Sequence, residues 1–178
     1  MEMQAPPPTP LAFGIRYGLL LAVSWLLVDF LIRIAGFGFM TFGIAASLGS
    51  VTVSMVWLVM AHRAFRGANG GLMSFGQGVL ISVVMLLISG VVSGIFNFVY
   101  LHYIDPGFVE RLKAGMVEFM ERNHVPDEQI EKSTAKMDAM QVGPAKALLS
   151  GIGNGLALGV VLGLVVSAFT KRNPPEFE

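Results

Sequence analysis

The chain has 178 residues, 54% of them apolar and only 13% charged, with twelve bases balanced by twelve acids and a mean hydropathy of +0.67. That composition lies outside the range of a soluble domain of this length and makes lipid the solvent for most of the chain. Balanced charge without a polybasic run excludes a nucleic-acid partner, and the absence of cysteine excludes disulfides, thiolate metal sites and thiol nucleophiles.

Met1 to Pro10 holds four prolines, one acid and no base, the wrong composition for the cationic start of a secretory signal, and reads as a flexible lead-in. A membrane-spanning helix needs about 20 mainly apolar residues, because the hydrocarbon core is about 30 Å thick and each residue rises about 1.5 Å. Four segments qualify: about Phe13 to Gly36, Met40 to Ala61, Phe75 to Tyr100 and Ala147 to Thr170. The second and third carry no charge; Ser74 is placed to cap the third, and Pro144 and the pair Pro174 and Pro175 bracket the fourth. All four must be helical, since a lone strand cannot satisfy its backbone in lipid.

Between the third and fourth spans, residues 104–146 read as an amphipathic helical hairpin outside the membrane. Asp105 and Pro106 supply an N-cap and a first-turn proline, and Phe108, Leu112, Met116, Phe119 and Met120 recur on one face. Asn123 and Pro126 mark the turn. A second stretch from Asp127 to Met140 puts Ile130, Met137 and Met140 on its apolar side, with Glu128 and Lys132 as an outward i,i+4 pair. The expected fold is all-α: a four-transmembrane-helix bundle with this hairpin between helices 3 and 4, residues 1–178 forming a single membrane domain.

Orientation follows from the bases in short loops. Arg16, Arg63, Arg66, Lys171 and Arg172 share one side, whereas the opposite short loop, Phe37 to Thr41, has none. Both termini and the loop from Arg63 to Met73 are therefore expected to be cytoplasmic and the hairpin external, against the counterweight of Arg33 and six bases in the hairpin itself.

The clearest motif is in the fourth span, where Gly151, Gly155, Gly159 and Gly163, flanked by Ala147 and Ser167, recur every four residues. Such a ridge lets a neighbouring backbone approach closely, which is how membrane helices associate when lipid is as apolar as leucine. Gly14, Gly18 and Ala22, then Ala46, Ser50 and Ser54, then Gly90 and Gly94 repeat the pattern in the other spans. Packing within one bundle accounts for the ridge; contact with a second copy or another protein is the sharper alternative.

Asp29 is the only acid within a span, and an intramembrane ionisable residue is by default a candidate for ion or proton handling. Arg33 lies one turn on and can pair with it, while Asn97 and Asn154 are candidates to complete a polar cluster by hydrogen bonding to each other or to Asp29. His102 with Asp105 and His124 with Asp127 could form a metal site, but both aspartates are already accounted for as helix caps. Met116, Met120, Met137 and Met140 could hold Cu(I), but they fit equally as the adaptable apolar face of the hairpin. No metal site and no cofactor are expected. Phosphate loops, His-Glu-x-x-His pairs and nucleophile elbows are all missing. The spans' serines are expected to have no histidine within reach, so the chain reads as a non-enzyme.

The phrases Ser74-Phe75-Gly76-Gln77 and Tyr103-Ile104-Asp105-Pro106-Gly107-Phe108, with Glu128-Gln129-Ile130-Glu131 and Met137-Asp138-Ala139-Met140 in the hairpin, carry a resemblance. From about Phe13 to Lys171 the chain resembles a bacterial family of four-helix inner-membrane proteins catalogued as domain of unknown function 4199. The resemblance implies this topology and the cytoplasmic membrane of a Gram-negative cell; it brings no catalytic residues, and the last span departs from it toward more glycine.

The expected function is that of a non-enzymatic accessory or scaffolding subunit that sits in the lipid bilayer and packs with itself or with a larger inner-membrane complex. The alternative is a small oligomeric channel or transporter for an ion or small solute, lined by Asp29, Asn97, Asn154 and the serines of the second and third spans.

Overall fold

The computed structural model describes residues 8–138 and 143–173. Among these the chain is all-helical, with six α-helices and no strand: α1 Pro10–Ile34, α2 Phe39–Ala68, α3 Phe75–Val99, α4 Phe108–Arg122, α5 Asp127–Asp138 and α6 Pro144–Thr170. Four are long and apolar enough to cross a membrane: α1, α2, α6, and α3 prolonged through a π-helical turn at Tyr100–Ile104.

The helix ends explain most departures from the expected boundaries. α1 opens at Pro10 rather than Phe13 because the Thr9 hydroxyl accepts from the Ala12 amide and proline is well tolerated in a first turn. α2 runs on to Ala68 instead of stopping at Ala61. The charges of Arg63 and Arg66 bring the apolar run to a close without ending the helix, whose inward face continues through Ala61, His62 and Phe65. The loop expected from Arg63 therefore shrinks to 69–74, where Gly70 (φ 63°) and Gly71 (φ 85°) take left-handed conformations. Ser74 caps α3 as expected and forms a full capping box, its hydroxyl accepting from the Gln77 amide while Gln77 Oε1 accepts from the Ser74 amide.

Asp105 does not cap α4, which begins at Phe108 after Gly107. The π turn carries the third span to Ile104, and the Asp105 amide donates five residues back to the Tyr100 carbonyl, which commits Asp105 to the end of that helix instead. Met140, Pro174 and Pro175 lie outside the described residues.

The core is built around α3. Its buried residues Ile81, Met85 and Leu86 meet Leu21 of α1, Leu58 and Phe65 of α2 and Val166 of α6. At the same end, Phe13 of α1 packs edge-on against Phe65, with ring centroids 5.4 Å apart. At the opposite end α4 lies on the start of α2, where Phe42 and Phe108 pack edge-on at 5.2 Å. α5 is tied to α4 by the Lys113 to Asp138 ion pair at 2.7 Å.

Candidate functional site

Two nodes of hydrogen-bonded polar side chains stand one at each end of α3, while Ser54 and Ser89 are buried outside them. The first joins Asp29, Arg33 and Asn97. Arg33 Nε donates to Asp29 Oδ2 at 2.8 Å and Nη2 to Asn97 Oδ1 at 3.1 Å, and the charged side chains are each only 10% exposed. Three rings enclose the guanidinium: its carbon lies 4.6 Å from the centroid of Tyr100, 5.0 Å from Phe108 and 5.8 Å from Phe96. Desolvated cation–π contacts are each worth about 2 kcal/mol. The π turn puts Tyr100 there, and the Tyr100 hydroxyl in turn donates to Asp105 Oδ2 at 3.5 Å, the oxygen that also binds Arg111. Charges thus alternate from Asp29 through Arg33 and Asp105 to Arg111, linking α1 to the start of α4. Arg33 Nη1 is buried with no hydrogen-bond partner among the described residues.

Asn154 is not part of this node. It lies on the exposed face of α6, and its depth separates it from Asn97. A Cβ at Gly94 would meet Ala147, and one at Gly90 would meet Gly151, so Asn97 stands level with the start of α6 while Asn154 lies well down the bundle.

The glycine ridge is filled by α3 of the same chain. A Cβ added at Gly151 would come 2.2 Å from the Gly90 carbonyl oxygen and one at Gly155 2.4 Å from that of Leu86. At Gly159 it would meet the Val83 Cα at 3.0 Å, and at Gly163 the Ser82 Cβ at 2.9 Å. This near-contact of backbones leaves no room for a second copy on the ridge.

The second node centres on His62, which lies just past the end of the second span expected from the sequence. It is fully buried, with Nδ1 2.8 Å from Thr170 Oγ1 and Nε2 3.0 Å from the Gly78 carbonyl and 3.1 Å from Ser82 Oγ. The carbonyl can only accept, so Nε2 donates to it. Arg66 Nη1 donates to the Thr170 carbonyl at 3.0 Å, closing the end of α6, and Met73 and Arg172 pair their backbones beyond it. The expectation that no histidine reaches a serine within the spans is therefore corrected: Ser82 and His62 are neighbours. Both are 0% exposed, however, and the Ser82 hydroxyl donates to Gly78 O at 2.9 Å, so the pair has no face open to a substrate. A signal for His62 was present in the sequence: Ser54, Leu58, Ala61 and Phe65 continue the buried stripe of α2 past the last apolar run.

Among the described residues, which do not include Met140, His102 and His124 do not join with acids in a metal-binding group. His102 packs against Phe98 at a tilt, with ring centroids 4.4 Å apart, and His124 sits in the turn after α4 with φ 55°. Met116 and Met137 are buried in the hairpin. Among the described residues, no group of three or more His, Asp or Glu is placed to hold a metal.

Both nodes are suited to fastening helices. Each joins elements distant in sequence through side chains that are buried or partly buried. Of the curated proteins and the solved structures, none matches the chain. The family described as protein of unknown function (DUF4199) matches residues 16–172, from the first arginine of α1 to the arginine that pairs with Met73, and the chain belongs to that family.

Proposed function

We propose that this is a non-enzymatic accessory or scaffolding subunit of the bacterial cytoplasmic membrane, working by association with itself or with a larger membrane complex. The observation that carries the reading is the engagement of Asp29 and Arg33 with each other, with Asn97 and with three rings of the same chain. A carboxylate committed in this way is poorly suited to exchanging ions, and a guanidinium does not release its proton. The chain forms one four-helix bundle with an external hairpin of α4 and α5. Its termini and the loop 69–74 face the cytoplasm, where Arg16, Arg63, Arg66, Lys171 and Arg172 lie, and the hairpin is periplasmic. Gentle-detergent purification followed by native mass spectrometry tests the proposal. A stoichiometric complex, with itself or with a second polypeptide, is the expected result; a monomer with no retained protein would overturn it.

A further inference from the structure

Asn154 is a polar group of α6 that this fold leaves unengaged among the described residues. Asn154 lies level with the stretch Leu86 to Gly90 in the middle of α3, because Gly151 meets Gly90 and Gly155 meets Leu86. Its side chain is exposed on α6 and has no partner among the described residues. At that depth the surroundings are hydrocarbon, where an amide has neither donor nor acceptor to meet and pays for its desolvation.

Asn154 does not stand alone on its face. Ser150, Asn154, Ala157, Val161, Leu164 and Ala168 alternate in steps of four and three, and all six are exposed. This is the spacing of a left-handed helix–helix seam, populated by small and apolar side chains with a single asparagine. At about 100° per residue the seam lies opposite the glycine ridge, so α6 can use the ridge for α3 and still present this face.

We infer that α6 pairs with α6 of a second copy of this chain along the seam, with the two Asn154 amides bonding to each other near a two-fold axis. The occupant is a second copy because a carboxamide carries both donor and acceptor and is its own complement, and an isologous two-fold contact brings identical positions together. In a helix seam a single asparagine also fixes register, since any slip strands the amide in lipid. The inference deepens the association reading above by naming the partner and the face.

The test uses the absence of cysteine from the chain. Ala157→Cys and Leu164→Cys, each the sole thiol of the full-length protein in native membranes, are expected to give disulfide-linked dimers on mild oxidation. Leu156→Cys and Val160→Cys, exposed but off the seam, are expected to stay monomeric. Asn154→Leu should lower the dimer association constant about tenfold by native mass spectrometry, and Asn154→Gln should retain most of it. Equal cross-linking on and off the seam, or a dimer indifferent to Asn154→Leu, would overturn the inference. A monomeric chain bound to a different polypeptide would overturn it and leave the accessory role standing, whereas a seam dimer that conducts ions would uphold it and defeat that role.

Discussion

His62 ties the end of α2 to the end of α6: its Nδ1 lies 2.8 Å from Thr170 Oγ1, across more than a hundred residues of chain, while Nε2 holds the Gly78 carbonyl at the start of α3. One imidazole therefore gathers three helix ends. Removing it leaves the pocket among Gly78, Ser82 and Thr170 without its donor. His62→Ala is expected to cost about 1–3 kcal/mol, and His62→Gln less, in unfolding from mixed detergent micelles. Equal losses for the two variants would show that the ring matters by volume and not by its hydrogen bonds.

The ridge between α3 and α6 gives a contrast within one residue type. Gly151→Ala and Gly155→Ala would push a methyl to within 2.2 and 2.4 Å of backbone oxygens of α3, and are expected to destabilise by about 1–3 kcal/mol. Gly67→Ala, in α2 with nothing within 4 Å of the added carbon, should stabilise by about 0.5–1 kcal/mol through helix propensity. Thermal denaturation of the three variants side by side decides the matter; a harmless Gly155→Ala would mean that α3 and α6 are further apart than described.

At the other node the ion pair invites a double-mutant cycle. Arg33→Met leaves the Asp29 carboxylate buried and unpaired, and Asp29→Leu does the same to the guanidinium; each is expected to cost about 3–5 kcal/mol. The double variant should recover a large part of that loss, because it leaves neither charge stranded. Additive losses would mean the two side chains do not share an environment.

Lys113 and Asp138 give the α4–α5 contact a pH limit. The hydrogen bond to Asp138 raises the Lys113 pKa above its ordinary value of 10.5. A value raised by folding gives stability that is fully present below the unfolded pKa and is lost as pH rises through the folded one. Spin-label distances between α4 and α5 should therefore hold from pH 7 to about pH 10 and lengthen only above that. Lengthening already at pH 8 would show that another group holds the hairpin.

The four membrane helices were legible because a span is a property of composition over twenty or so residues, and neighbouring packing does little to change it. The glycine ridge was legible as a contact surface, since its period is that of a helix face, but its occupant was not: only the register of α3 against α6 identifies Gly90 and Leu86 as what lies there. The same register separates Asn154 from Asn97, two residues that both fall in the outer halves of their expected spans. His62 was hidden because hydropathy falls at Arg63 while the helix does not stop, and Tyr100 because a π turn rotates the chain in a way that no residue spacing announces. Asp105 followed by Pro106 looked like a helix start, yet the Asp105 amide bonds back to Tyr100 and the new helix waits for Phe108.

On the proposed function, the charged pair at membrane depth fastens helices and carries nothing across. The most direct measurement is ion and proton flux through liposomes reconstituted with the full chain, compared with the Asp29→Asn variant and with empty vesicles. Flux no greater than that of empty vesicles is expected for both proteins. A flux present with the natural chain and abolished by Asp29→Asn would contradict it, and would make the Asp29, Arg33 and Asn97 node part of a conduit.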